Sequence, residues 1–169
     1  MRVHARGCNC GLCNLDDETK EKSIQEIEEK QKKNIEDHGW YCHAIGGGDD
    51  QTPTGVNYHT HGCLESFGHP DLQIVAPMPP VLAHNLFGLA IEKIKSGEKF
   101  KAGDRLSDII KNMDVALIEA QESGRTVLRM VLPDTRGELD REKMDKPFNT
   151  QWDGPPSLPG ADLFRLCLN

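Results

Sequence analysis

Several common functions require features that this sequence lacks. It has no basic excess: the net charge is −7. The electropositive face of a general nucleic-acid binder is therefore missing, and no nucleic-acid partner is expected. No apolar run reaches the length that a bilayer span requires, so no membrane partner is expected either. Met1 to Gly11 holds two arginines and almost nothing apolar. The hydrophobic centre of an export signal is absent there, and a cytoplasmic location is expected. Hydrophobic residues make up 37% of the chain, below the usual globular share, so part of it should be solvated or peripheral. The Gly46-Gly47-Gly48 run has neither the following helix nor the lysine of a phosphate loop, and reads as a turn with Asp49, Asp50 and Pro53. No dinucleotide fingerprint is present, which ranks a flavin or other redox cofactor last.

What is present is a dense histidine stretch, Val56-Asn57-Tyr58-His59-Thr60-His61-Gly62-Cys63, followed by Glu65 and His69. It carries three of the seven histidines and one of the six cysteines. As a strand over residues 56–63 it would point His59, His61 and Cys63 to one face and Tyr58 and Thr60 to the other. Trp40 to Ile45 reads as a preceding strand, and a hairpin between the two would bring His43 beside His59 and His61 or one register away. Imidazole and thiolate suit zinc, iron or copper, of which zinc or iron is expected. Two histidines two residues apart can share an ion, with His43, Cys63 or His69 as a third ligand. Three protein ligands leave a position for water, and Glu65 is close enough in sequence to be the general base. Strand histidines that bond to neighbouring carbonyls are the structural alternative.

The early Cys8-Asn9-Cys10-Gly11-Leu12-Cys13 run has the Cys10–Cys13 spacing of a zinc knuckle but no second pair further along. With no export signal, reduced thiols that bind metal or do nothing are both open. Whether these cysteines and the strand histidines form one site or two is not legible. A non-catalytic module is the alternative function: a sheet face with His59, His61 and Arg129 that holds a small-molecule ligand or a partner protein, with Tyr58 a further ligand-binding candidate. A homo-oligomer is compatible with either.

The rest of the chain supplies a frame. Asp16 to His38 reads as a charged helix, capped by Asn14 or Asp16, stopped by Gly39, with a thin stripe of Ile24, Ile27 and Ile35. Leu72 to Ala76 is a short buried strand. Pro80 opens a core helix that runs to about Lys95. Residues 104–110 lean to a helical turn. Val115–Ala120 and Thr126–Leu132 pair through a Ser123-Gly124 turn. Arg129 on the second of these needs a partner, for which Glu119 or an acidic ligand would serve. The expected fold is α+β, a mixed or antiparallel sheet of about five strands with two main helices and an extended C-terminal tail. The expected divisions are an arm over 1–15, a domain over 16–140 and a tail over 141–169, pinned by Phe148 and Trp152 and ending in a short strand within 163–168.

Asp37-His38-Gly39-Trp40, Tyr58-His59-Thr60-His61-Gly62, Glu65 to Leu72 with Phe67-Gly68-His69-Pro70 at its centre, the helix from Pro80, and Val131-Leu132-Pro133-Asp134 follow a familiar order. In these the chain resembles the bacterial domain of unknown function 4262 family, over roughly residues 35–140 plus the early cysteines. Many relatives carry tyrosine-threonine-isoleucine-glycine where this chain has His59-Thr60-His61-Gly62, a departure toward histidine at two positions. The resemblance implies boundaries and an α+β fold, and no reaction.

Overall fold

The computed structural model describes residues 15–47, 54–154 and 166–168. Among the described residues, three α-helices, a short 3-10 helix and a mixed seven-stranded sheet make up the fold. In chain order they are α1 (Asp17–His38), β1 (Tyr41–Gly47), β2 (Thr54–His61), α2 (Cys63–Phe67), β3 (Leu72–Val75), α3 (Pro80–Lys95), β4 (Arg105–Ile110), β5 (Met113–Glu122), β6 (Arg125–Val131) and β7 (Leu166–Leu168). The sheet order is β4-β5-β6-β3-β2-β1-β7. Only β3 and β6 run parallel; the other neighbours are antiparallel. The crossover that a parallel pair requires is supplied by α3 and the β4–β5 hairpin.

The first helix forms as its sequence dictates. Asp16 caps it by accepting from the Thr19 amide at 2.9 Å, and Gly39 ends it in the left-handed conformation. Glu18 and Lys22 close an exposed pair at 2.8 Å. Asn34 is the helix's buried residue, and Ile24 is 38% exposed, so α1 rests on the sheet by a narrow edge. By contrast α3 buries Ala83, Leu86, Phe87, Ala90, Ile91 and Ile94. Against them lie Cys42, Ala44, Tyr58, Leu72, Ile74, Leu128 and Met130, alternate residues of four adjacent strands. This face of the sheet is the main core. On the other face Leu139, Met144, Phe148 and Trp152 pack on Ala116, Ile118 and Val131, the last two from a 3-10 helix over Phe148–Trp152. Asp134 organises the turn that carries them, accepting from the amides of Arg136, Glu138 and Asp145.

Two local expectations are corrected. Residues 105–110 are a strand, not a helical turn. Leu106 and Ile109 are buried, and an irregularity between Leu106 and Ile110, with Asp108 at φ 67, hides the two-residue period. The histidine strand stops at His61 rather than running to Cys63. Gly62 turns left-handed at φ 98 and starts α2, so Cys63 opens a helix instead of continuing the alternation. The bend is tight: a Cβ at Gly62 would sit 2.8 Å from the Gly39 carbonyl oxygen. A second fastening follows. His69 Nδ1–H donates to the Pro70 carbonyl at 2.7 Å, and its Nε2 accepts the Phe100 amide at 3.2 Å.

Two outcomes follow for stability. Gly68, at φ 62 with nothing within 4 Å of its would-be Cβ, meets backbone strain alone. Gly68→Ala should therefore cost about 1–2 kcal/mol. Gly62→Ala adds a clash with backbone, so urea melts should rank it clearly below Gly68→Ala; equal midpoints would contradict the packing at Gly62. His69→Ala removes two hydrogen bonds and strands the buried Phe100 amide, a loss of about 1–3 kcal/mol. Burial outweighs the Pro70 bond and lowers the His69 pKa from its ordinary 6.5. The unfolded chain therefore binds the proton first as pH falls, and the contribution of His69, complete above that value, declines toward the lower folded pKa. The destabilisation by His69→Ala should thus be larger at about pH 7.5 than at about pH 5; a loss that grows on acidification would show the sign is wrong.

Candidate metal centre

The β1–β2 register sets His43 directly opposite His59, with Tyr41 opposite His61. Continued through β3, β6 and β5, the same row reads His43, His59, Gln73, Arg129 and Ile118. Side chains directly opposite one another in neighbouring strands share a face. This row therefore lies on the face away from α3. His43 and His59 are 5% and 1% exposed; His61, at the strand end, is half-buried. Ring centroids are 5.0 Å apart for His43–His59 and for His59–His61, and 5.5 Å for His43–His61. One ligand nitrogen from each of the three lies within 4.8 Å of the other two. Tyr41 stacks on His61 with centroids 4.8 Å apart, holding that ring against the sheet.

The electrostatics favour lone pairs over protons. Burial, then the His43 and Arg125 charges, lowers the His59 pKa to about 3. Burial, then Arg125 and the neighbouring histidines, lowers that of His61 to about 3. Both rings are neutral at physiological pH, so the 3.9 Å approach of Glu122 to His59 Nδ1 is not an ion pair. His59 Nδ1 and His61 Nε2 are buried without a hydrogen-bond partner. A buried polar atom left so costs about 1–3 kcal/mol and calls for a partner, an ion or a neighbouring carboxylate. Asn34 and Asn149 each carry one such atom too; what sets the histidines apart is that a ligand nitrogen of each lies close to those of the other two.

The other expected site residues are placed elsewhere. Cys63 lies on the α3 side, its sulfur 3.4 Å from Thr60 Oγ1 and its amide donating to Asp71 at 3.1 Å. Burial pushes its thiol up to about 12, which withholds the thiolate that a metal needs. His69 spends both ring nitrogens on backbone, as described above. Glu65 stands exposed on α2. Tyr58 is fully buried on the α3 side and donates its hydroxyl to the Met78 carbonyl. Arg129 finds neither Glu119 nor a free face: its Nε donates to Gln73 Oε1 at 2.8 Å and its Nη1 to the Gln151 carbonyl at 3.0 Å. Cys8, Cys10 and Cys13 lie outside the described residues. A surface groove of about 490 Å³, lined by Lys93, Lys99, Arg105 and Asp104 among others, contains none of the histidines.

Sequence reasoning missed the polar support beside the cluster. Glu122 Oε2 accepts from Asn57 Nδ2 at 2.7 Å and Gln73 Nε2 at 2.9 Å. Gln73, alone among apolar neighbours in Leu72-Gln73-Ile74-Val75, was the available signal, because a polar residue inside a buried run needs partners. Glu122 carried none: it precedes the Ser123-Gly124 turn and reads as a solvated hairpin end.

Among the described residues no helix is long and apolar enough to cross a membrane. No curated protein and no solved structure matches the chain. The family described as a domain of unknown function, DUF4262, matches residues 34–130. That span is more than half of the chain and includes the three histidines and Glu122. The protein belongs to this family.

Proposed function

We propose that this protein binds one transition-metal ion through His43, His59 and His61. The observation that carries the reading is the convergence of three imidazoles, one ligand nitrogen of each within 4.8 Å of the other two, with a buried, unpartnered Nε2 on His61. Neutral imidazoles need no deprotonation before they coordinate, so the lowered pKa values of His59 and His61 remove proton competition at neutral pH. A three-nitrogen set suits zinc or iron, and it leaves a coordination position for water. Zinc in such a set would acidify that water toward a nucleophile, which makes metal-dependent hydrolysis the reaction class within reach. The general-base role expected of Glu65 draws no support from its exposed place on α2. The anion-binding alternative draws none from Arg129, whose nitrogens are engaged by Gln73 and Gln151.

Metal analysis of full-length protein purified without a histidine tag tests this. About one equivalent of zinc or iron per chain is expected. It should be lost in the His59→Ala, His61→Ala double variant and kept when Cys8, Cys10 and Cys13 are all changed to Ser. Metal that follows the cysteines instead would put the ion in the N-terminal arm and overturn the proposal.

A further inference from the structure

A divalent ion held by three neutral imidazoles would leave its charge buried, and a buried charge needs an opposite one close by. We propose that Glu122 is that partner and acts on the ion through His59; this rests on the three-histidine reading above. Glu122 is 7% exposed, and its Oε1 lies 3.9 Å from His59 Nδ1. The carboxylate is held in place from three sides. Asn57 and Gln73 amides donate to Oε2, and the Ser123 hydroxyl donates to Oε1 at 2.9 Å. Among the described residues no lysine or arginine nitrogen lies within 4.0 Å of it. Arg129 makes no hydrogen bond to it and is held by Gln73, though its charge is felt there, and Arg125 is paired with Asp71 and the Thr60 carbonyl. The carboxylate, with no cation in hydrogen-bond contact, therefore adjoins the unpartnered Nδ1 of His59. A metal ion would meet both needs.

Glu122 does not join the group of mutually close ligand atoms, which is confined to the three histidines. Its action is outside the coordination sphere. His59 turns Nδ1–H to Glu122 and presents Nε2 to the ion, and the present gap closes to a hydrogen bond on loading. Carboxylates placed so fix the tautomer of a ligating histidine and raise its basicity. Glu122 is thus a positioning residue, neither a ligand nor a base.

Zinc affinity of the full chain, measured by competition with a chromophoric chelator, tests the proposal. Glu122→Gln should weaken zinc binding about 10–100-fold, and Glu122→Asp, which keeps the charge, should recover part of the loss. Equal affinity in wild type and Glu122→Gln would overturn the role of Glu122 while leaving the three-histidine centre intact. Wild type that binds neither zinc nor ferrous iron would overturn both. A purely structural Glu122 would change melting without changing the coordinating nitrogen. Nitrogen-15 histidine spectra of zinc-loaded wild type therefore decide even where Glu122→Gln fails to fold. Zinc on His59 Nε2 with a proton on Nδ1 supports the proposal; zinc on Nδ1 contradicts it.

Discussion

A buried imidazole is costly unless its nitrogens are satisfied, and this fold gathers three buried or half-buried imidazoles at one place because of how β1 and β2 are paired. The pairing of His43 with His59 is the constraint on which the rest depends. A slip of one residue would turn His59 and His61 into the core under α3 and bring Tyr58 out. Tyr58 prevents this from the other side, since its ring is fully buried and its hydroxyl is tied to Met78. The Gly39–Gly62 approach closes the same register at the strand end, where α1 stops and α2 begins.

The two faces of the sheet divide the work. The face under α3 is apolar and supplies the main core. The opposite face carries a buried polar row that runs from His59 past Glu122 to Gln73, Arg129 and Gln151. Gln151 closes the row by exchanging hydrogen bonds with the Leu132 backbone, at 3.0 and 2.9 Å. A buried network of this kind is stabilising only when every member is satisfied. Away from the histidines each polar group just named has a partner. At His59 and His61 one buried nitrogen each is left without a hydrogen bond, and that local deficit is what gives the centre its chemical meaning.

Much of this frame was legible in the residues. The cap at Asp16, the stop at Gly39, the stripe of α3 and the two-residue turn at Ser123-Gly124 are local signals, and each element formed where its signal stood. The pairing of β1 with β2 was legible too, because hairpins between successive strands are the economical pairing; the register that sets His43 against His59 was open between two choices, and the structure decides it. The misreadings occurred where tertiary context decides. Cys63 was expected beside the histidines because alternation was carried across Gly62, and a glycine at positive φ breaks a two-residue period. Residues 105–110 hid their strand behind an irregular register. Glu122 lies 63 positions from His59 along the chain, and only the parallel crossover from β3 to β6 brings their sheet segments together.

X-ray absorption at the metal edge of the loaded, untagged protein tests the central claim most directly, because it reads the ligand atoms themselves. With zinc, the account predicts a first shell of nitrogen and oxygen at about 2.0–2.1 Å, with the outer-shell scattering of about three imidazoles. A shell dominated by sulfur at about 2.3 Å would contradict it and move the ion to the cysteines.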